Sequence, residues 1–396
     1  MNVMKPKKCV IIGAGLAGAA TAYHLGQMGL EDVLLLEQEA IPGMHASGRN
    51  AAMVRQVVAD EAIAQLARAG AAFLQNLPED WPLETEFRQT GALLLTDQAG
   101  VARWQAAAQR ARLAGVPAEW WEAERLRREL PVLADSPAVG AVWCPTDGVI
   151  DIHNLLHGFL RGAIARGAEI RCDQRVQNIV VREGKVCAVQ TESDEIVTDI
   201  VVNAAGAWAG EIARLTGADL PLTPYRRHLF IGEPRYRVEA GGPIVWDVAT
   251  DVYFRPDAGR LLLSPCDQTP HPAVSPGCDP AASELLAEKI SRCFPTLSEM
   301  AIHNAWACLR TMPPDHRFVV GWDAAVEGFM HVAGLGGHGV TVSHSIGLLA
   351  AQLIMRREEG TAGVEFDPIR FYSNRASGLP GAGLNQLSGS NRLGKN

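Results

Sequence analysis

The sequence predicts a mixed α/β fold, in which a Rossmann-like nucleotide-binding domain contains an inserted antiparallel-sheet domain. The first observation is an apolar run at 9–12 that ends in Gly13, Gly15 and Gly18 and leads into an alanine-rich helical pattern. The second is the return of strand, small-residue loop and helix at 196–208 and 329–341. The third is a proline-rich stretch of short alternating strands at 222–308.

Length, composition and net charge limit the number of domains and the kinds of partner that are expected. A chain of 396 residues exceeds one simple core, so two domains are expected. An apolar content of 47% and a charged content of 20% are typical of a soluble globular protein. The net charge of −8, without a large basic block, argues against nucleic acid and anionic membranes as partners.

Cysteine usage and the N-terminus predict the compartment. The eight cysteines are scattered, with no C-x-x-C pair, which is typical of reduced thiols in a cytosolic chain. The polar segment 1–8 does not resemble a secretory signal, and no apolar run reaches the about 20 residues that span a bilayer. We expect a cytoplasmic protein, or one peripheral to the inner face of a membrane.

The glycine loop predicts a dinucleotide site. The first glycine allows the tight turn, the second lets a pyrophosphate approach the backbone, and the third lets helix and strand pack closely. The helix 16–28 then directs its positive end at the phosphates. Glu37 ends the next strand 19 residues past Gly18, where a ribose-binding carboxylate is expected.

The remaining elements follow from periodicity and turn residues. A loop of small residues at 43–53 follows the ribose-binding acid, and a Gly-, Ser- and Asn-rich tail begins at 376. Trp120 and Trp121, with the arginines that follow, predict an edge helix. His153 and His157 share a helix face, but neither a third ligand nor an H-E-x-x-H glutamate accompanies them, so no metal is expected. Helices are expected at 60–77, 101–114, 152–166, 282–293 and 340–357, and strands at 32–37, 91–96, 169–172, 176–182, 186–191, 318–321 and 329–333.

Five motifs resemble the D-amino-acid oxidase-like superfamily of FAD-dependent amine oxidoreductases. They are G-A-G-L-A-G at 13–18, Glu37, S-G-R-N-A-A at 47–52, N-A-A-G-A-W at 203–208 and G-L-G-G-H-G at 334–339. The resemblance covers nearly the whole chain. Within the superfamily, the stretches 45–52, 253–259 and 306–310 are most similar to D-arginine dehydrogenase-type enzymes.

The resemblance implies a discontinuous FAD-binding domain (1–77, 146–222 and 305–375), a substrate domain (78–145 and 223–304) and a flexible tail (376–396). The loop 13–18 and Glu37 would hold the adenine half of FAD, and 47–53 and 336–341 the isoalloxazine half. The full set of implied FAD ligands is Gly13, Ala14, Gly15, Leu16, Ala17, Gly18, Glu37, Gln38, Ser47, Gly48, Arg49, Asn50, Ala51, Ala52, Met53, Val176, Ala205, Gly206, Trp208, Gly336, Gly337, His338, Gly339, Val340 and Thr341.

The resemblance also implies the mode of cofactor attachment. A noncovalent FAD is expected, because the loop is similar to that of the arginine-type enzymes. The alternative is a covalent link at His45, since a matching His-Ala-x-Gly carries covalent flavin in sarcosine and dimethylglycine dehydrogenase-like proteins.

The same resemblance implies how an amino acid substrate is held. Arg310 and Arg226 match positive groups for the substrate carboxylate, Arg227 is the alternative to Arg226, and the Tyr253 hydroxyl matches a further carboxylate ligand. His338 would orient the substrate or tune the flavin.

Departures from the arginine-type pattern change the expected substrate. Met53 and Val58 replace a His and a Tyr of the pocket, and Thr90-Gly91 stand where an acid would bind a guanidinium. A substrate guanidinium would therefore remain unpaired, which is costly. A neutral substrate side chain is expected.

The predicted function is FAD-dependent oxidative deamination of a D-amino acid, with hydride passing from Cα to flavin N5 and an imino acid hydrolysing to a 2-oxo acid and ammonia. The electron acceptor would be oxygen or a quinone- or dye-type molecule. Alternatives are a secondary-amine enzyme of the sarcosine, glycine or hydroxyproline type, a non-catalytic flavin-binding subunit, and an NAD-dependent dehydrogenase.

Overall fold

The predicted mixed α/β fold is confirmed by a computed structural model that describes residues 2–3, 6–235, 238–239, 241–356 and 365–376. One layer is a six-stranded sheet, whose first five strands are parallel and whose sixth is antiparallel. The spatial order of its strands is Glu169–Arg171, Val33–Leu36, Cys9–Ile12, Val201–Asn203, Phe329–Ala333 and Val319–Trp322. We call it the parallel sheet.

Helices cover the parallel sheet because its strands are apolar on both faces. The helix Leu16–Gln27 packs between Ile152–Ile164 and Ser343–Arg356, and Glu61–Gln75 packs on the latter. Gly347 permits one of these close approaches, since a Cβ there would lie 2.6 Å from the Ala20 side chain. Alanines and glycines at these crossings bring the helices near the sheet.

A second sheet has nine strands and is antiparallel except for one pair, Ala92–Thr96 with Ile244–Asp247. We call it the large sheet. Its longest strands, Thr223–Glu233 and Ala301–Met312, pair along their whole length. The other strands, in spatial order from Thr223–Glu233, are Arg260–Ser264, Val252–Asp257, Ile244–Asp247, Ala92–Thr96, Gly140–Cys144 and Glu119–Glu122, with Thr269–Pro270 on the far side of Thr223–Glu233.

Smaller elements complete the described chain. Three strands, Met53–Val54, Gly148–Ile150 and Phe87–Arg88, form one small sheet. Another contains Asn2–Val3, Asp194–Val197, Lys185–Gln190 and Asn178–Arg182. The remaining helices are Val101–Leu113, Ala123–Glu129, Ala209–Arg214, Pro280–Cys293 and Ile369–Ala376, with 3₁₀ turns at Pro131–Leu133, Gly206–Trp208 and Pro295–Leu297.

The prediction of a helix at Trp120 and Trp121 is wrong. These residues lie in the strand Glu119–Glu122, and the arginine cluster lies on the helix that follows. The Trp121 ring packs 5.1 Å from that of Trp143 on the neighbouring strand. Burial of an indole against a sheet outweighed the local helical pattern.

Three predicted boundaries also shift. The segment predicted as one strand at 196–203 is two, Asp194–Val197 and Val201–Asn203, which belong to different sheets. The strand predicted from 176 begins at Asn178, and the helix predicted from 340 begins at Ser343. The Thr341 hydroxyl instead accepts from the Arg55 backbone N–H at 3.2 Å.

Within the described residues, all eight cysteines are free thiols and no cluster of His, Cys, Asp and Glu could hold a metal. No helix in this part of the chain has the length and hydropathy to cross a bilayer. The predicted flexible tail lies, after Ala376, outside the described residues.

Candidate active site

A cleft of about 450 Å³ opens where the carboxyl ends of the parallel strands face the large sheet. Open α/β sheets bind ligands at this edge. One part of the cleft is lined by the glycine loop, Glu37 and the loop 43–53, and the other by strands of the large sheet. One wall of the cleft therefore has the glycine loop and acid typical of a nucleotide site, and the opposite wall consists of side chains from the large sheet.

The glycine loop has the shape that a pyrophosphate requires. Gly13 has a φ of +103°, and a Cβ there would lie 2.6 Å from the Ala204 carbonyl oxygen. At Gly18, a Cβ would lie 2.0 Å from the carbonyl oxygen of Gly13. Only glycine permits this approach of turn and helix.

Two side chains brace the glycine loop from outside. The Ala14 N–H donates to Glu37 Oε2 at 3.0 Å, and the Leu16 N–H donates to Ser47 Oγ at 2.9 Å. Glu37 is 8% exposed and lines the cleft. Its carboxylate therefore also fixes the phosphate-side turn, besides the ribose contact that the sequence predicts.

The loop 43–53 is ordered by its own polar groups. Asn50 Nδ2 donates to the carbonyls of Ala46 and Ser47, and Asn50 Oδ1 accepts from the Ala52 N–H at 2.7 Å. Ala52 adopts a φ of +55°, which these contacts support. Arg49 donates to Ser275 Oγ at 3.2 Å and so connects this loop to the segment after the strand Arg260–Ser264.

Most of the predicted cofactor residues line the cleft. Ala14, Gly18, Gly48, Arg49, His338 and Thr341 are not part of the lining. The lining members are Gly13, Gly15, Leu16, Ala17, Glu37, Gln38, Ser47, Asn50, Ala51, Ala52, Met53, Val176, Ala205, Gly206, Trp208, Gly336, Gly337, Gly339 and Val340.

His45 lines the cleft on the same side as Glu39 and Trp208. Its Nε2 lies 2.8 Å from Glu39 Oε1, and its ring centroid lies 4.5 Å from that of Trp208. One ring nitrogen is therefore already engaged by a carboxylate.

Two arginines on adjacent strands of the large sheet point into the cleft. The strand register places Arg227 opposite Cys308, two residues from Arg310, so that all three share one face. Within the described part of the chain, neither guanidinium has a carboxylate within 4 Å, and both Nε atoms are buried without a hydrogen-bond partner. Burial and the charge of Arg227 lower the pKa of Arg310 to about 10, which leaves it cationic at neutral pH. Unpaired guanidinium groups in a cleft are typical of a binding site for an anion.

Aromatic and apolar residues surround the two arginines. Tyr253 is 5% exposed, and burial raises the pKa of its hydroxyl, so it is a neutral donor. Its ring packs 5.0 Å from that of Trp246, its cross-strand neighbour. Met53 also lines the cleft, whereas Val58 packs against the helical core and does not.

Arg226 does not lie where the sequence analysis first placed it. Adjacent residues of a strand point to opposite faces, and Arg226 pairs with Asp279, which also caps the helix Pro280–Cys293. Arg227, the alternative, is the residue that lines the cleft.

His338 lies beside the cleft rather than in its lining. Burial, followed by the charges of Arg55 and Arg310, lowers the pKa of His338 to about 3. The imidazole is therefore neutral at physiological pH.

Sequence reasoning missed two residues here, Arg55 and Trp246. The Arg55 guanidinium carbon lies 4.1 Å from the centre of the Trp246 ring. An arginine in the buried run that follows the loop 43–53 was the signal that could have identified it.

The fold and cleft together define a nucleotide-binding oxidoreductase in which a Rossmann-type sheet faces an antiparallel sheet. A family model described as "FAD dependent oxidoreductase", DAO, matches residues 8–353, and the chain belongs to this family. The predicted resemblance is thereby confirmed.

Individual relatives are distant. The chain is 26% identical to 4-methylaminobutanoate oxidase (formaldehyde-forming) of Paenarthrobacter nicotinovorans, over 93% of this chain and 46% of that protein. It is 24% identical to the mitochondrial pyruvate dehydrogenase phosphatase regulatory subunit of Mus musculus, over 93% and 43%. This chain thus spans less than half the length of these curated relatives. The crystal structure of L-proline dehydrogenase from P. horikoshii has a TM-score of 0.84 at 24% identity, and the match covers 93% of this chain and 99% of that one.

The cleft fits the FAD that the family binds. Gly13 and Gly15 leave the backbone open where side chains would stand, and Glu37 and the loop 43–53 supply polar groups beside it. When bound, the flavin accepts the electrons of an oxidised substrate.

A Gly15→Ala substitution is expected to weaken FAD binding about tenfold or more, since loss of one phosphate contact costs about 1.5–3 kcal/mol. The added methyl would lie 2.8 Å from Ser47 Oγ and occupy the backbone's open side. Fluorescence titration of the apoprotein with FAD measures the change. Gly241→Ala, where nothing lies within 4 Å, is the matched control. Equal affinities of the two variants would contradict the assignment.

Proposed function

We propose that this chain oxidises the C–N bond of a small amine that carries a carboxylate, with FAD as cofactor. The observation that carries the proposal is the pair Arg227 and Arg310, two cations in the cleft whose Nε atoms are buried without a partner and which touch no carboxylate of the described residues. A substrate carboxylate would supply that anion. The same pair argues against a non-catalytic flavin-binding subunit, which has no use for it.

The arginines fix the position of the substrate. A guanidinium binds a carboxylate through two parallel hydrogen bonds, which set its orientation as well as its affinity. Tyr253, a neutral hydroxyl on the same wall, would donate a third hydrogen bond. Gly337 leaves room for this arrangement, since a Cβ there would lie 2.5 Å from Arg310 Nη2.

The same cations favour the reactive form of the amine. Oxidation requires the amine lone pair, and nearby positive charge lowers the pKa of an ammonium group. His338, held neutral, adds no charge that would compete for the substrate carboxylate.

Secondary amines are the substrates we favour. The relatives named 4-methylaminobutanoate oxidase and L-proline dehydrogenase support this choice, since each name denotes a secondary amine with a carboxylate. D-amino acids with neutral side chains are the second candidate, which Tyr253 and Arg310 support through their matching motifs. The only acids among the lining residues, Glu37 and Glu211, lie on the nucleotide side, which argues against a cationic side chain.

Anaerobic reduction of the purified yellow protein tests the proposal. The panel contains sarcosine, L- and D-proline, glycine, and D- and L-alanine, and bleaching of flavin absorbance is followed by stopped flow. We expect N-methyl or cyclic amino acids to reduce the flavin fastest. Reduction only by primary D-amino acids would favour the second candidate, and no reduction by any amine would overturn the proposed activity.

We propose noncovalent FAD attachment and either oxygen or a quinone- or dye-type acceptor. The contact between His45 and Glu39 supports noncovalent binding, because it engages one nitrogen of the ring that would form the link. Release of yellow flavin on acid precipitation tests attachment. Reoxidation rates with oxygen and with a soluble quinone compare the acceptors.

Arg227→Met is expected to lower kcat/KM at least about 30-fold, the cost of removing a buried charge contact. The matched variant is Arg226→Met. It should alter kcat/KM less than threefold and lower the free energy of unfolding by about 1 kcal/mol or less, since its ion pair is near the surface. Steady-state kinetics and urea unfolding measure both. A larger kinetic loss in Arg226→Met would reverse the assignment.

A further inference from the structure

Arg55 is a third arginine near the substrate wall. It follows the strand Met53–Val54 and is 9% exposed. Its guanidinium stacks 4.1 Å from the centre of the Trp246 ring, and both Trp246 and Met53 line the cleft. Among the described residues, its guanidinium forms no hydrogen bond or ion pair, although a buried guanidinium ordinarily requires one.

The nearest buried acid does not neutralise Arg55. Asp147 Oδ1 accepts from the Gln56 backbone N–H at 2.9 Å and from Gln56 Nε2 at 3.1 Å, and Oδ2 has no partner. No ion pair within 4 Å joins Asp147 to Arg55. Burial raises the pKa of Asp147 to about 6, so the carboxyl is still mostly ionised at neutral pH and attracts Arg55 through space. The Arg55 guanidinium nevertheless has no direct hydrogen-bond or ion-pair partner among the described residues.

Three arginines thus lie near the aromatic side chains of Trp246 and Tyr253 without a carboxylate in direct contact with their guanidinium groups among the described residues. The exposed Asp251 interacts electrostatically with all three, and it accepts from the Trp246 indole N–H at 3.2 Å. One substrate carboxylate accounts for Arg227 and Arg310, which lie on one face of neighbouring strands. That single carboxylate gives no partner to the guanidinium of Arg55.

We propose that the substrate carries a second carboxylate, which Arg55 binds, so that the substrate class is a secondary amine with two carboxylates, an N-(carboxyalkyl) amino acid. Arg55 does not itself line the cleft but packs against Trp246, which does, so binding of the second carboxylate requires the guanidinium to turn towards the cleft. Arg227 and Arg310 hold the first carboxylate and Arg55 the second, with the amine nitrogen between them. This assignment rests on the proposed amine oxidation and specifies its substrate.

Two thioether analogues test the proposal by binding, without turnover. Thiodiacetate has two carboxylates and methylthioacetate has one, and a sulfur atom replaces the oxidisable amine in both. In the FAD-loaded protein, we expect thiodiacetate to bind at least about tenfold more tightly, as calorimetry or perturbation of the flavin spectrum would measure. Arg55→Met should weaken thiodiacetate binding about 30-fold and methylthioacetate binding less than threefold.

Further variants separate the role of Arg55 from a structural one. Arg55→Lys keeps the charge and should restore part of the thiodiacetate affinity. Arg103→Met removes an exposed arginine that stacks on Trp104, and should leave both affinities unchanged. Equal binding of the two analogues by the unmodified protein, or an equal loss of both in Arg55→Met, would overturn the proposal.

Turnover distinguishes failure of this inference from failure of the proposed activity. Iminodiacetate should reduce the flavin with a higher kcat/KM than sarcosine. If sarcosine reduces the flavin as well as iminodiacetate does, amine oxidation stands and the second carboxylate site is wrong. If no amine reduces the flavin, the proposed activity itself fails.

Discussion

Replacing Arg310 with methionine is expected to lower kcat/KM for the best amine substrate by roughly 100- to 1,000-fold, the range for removing a buried charge contact. Arg310 is half-buried, its buried Nε has no hydrogen-bond partner, and it lies on the cleft face beside Gly337. The loss should fall mainly on KM, because the carboxylate contact is made in both ground and transition states. Arg310→Lys should recover part of it, with a charge but without the planar fork.

Steady-state kinetics and FAD content of each variant provide the measurement. FAD content should stay at one per chain, since Arg310 lies on the substrate wall of the large sheet. Unchanged affinity for the best substrate in Arg310→Met would contradict the carboxylate assignment. Loss of FAD along with activity would instead show that Arg310 serves the cofactor.

The second large effect is loss of stability in acid, caused by a histidine pair packed between helices, with His24 buried and His344 half-buried. His24 Nε2 lies 3.1 Å from His344 Nδ1, and the ring of His344 stacks on Phe73. Burial lowers the pKa of each histidine from 6.5 to about 4. The unfolded state therefore binds more protons than the folded state in this range, and stability falls as the pH falls from 6.5 to 4.

We expect protonation of one of the two histidines alone to lower the free energy of unfolding by about 3 kcal/mol across this pH range. Denaturant unfolding at several pH values measures it. The double variant His24→Gln, His344→Asn should show a flatter dependence on pH, and His316→Asn, an exposed site, should keep the original slope. Identical slopes in all three proteins would contradict the role of the pair.

The predicted cofactor residues line the cleft more consistently than the predicted substrate residues do. Glycine loops and their strands are encoded locally, since a turn that only Gly13 and Gly18 permit must follow a strand and precede a helix.

The choice between Arg226 and Arg227 could not be read in the same way. The choice depends on which face of the strand Thr223–Glu233 lines the cleft. The pairing register with Ala301–Met312, about 80 residues further along the chain, determines that face. Arg55 was missed for a related reason, since its importance comes from Trp246, a distant residue that it contacts. Trp121 likewise took its conformation from Trp143 rather than from its neighbours in sequence.

The arrangement of the parallel sheet has a consequence for synthesis on the ribosome. The strand Val201–Asn203 lies between Cys9–Ile12 and Phe329–Ala333, and the first helix is covered by Ser343–Arg356. At about 5–20 residues per second, the nascent chain waits tens of seconds between making its first apolar helix and making the helix that covers it. Throughout that interval, the alanine face around Ala20 lacks the helix that covers it, and the nucleotide site is completed only after the segment 334–341 has been made.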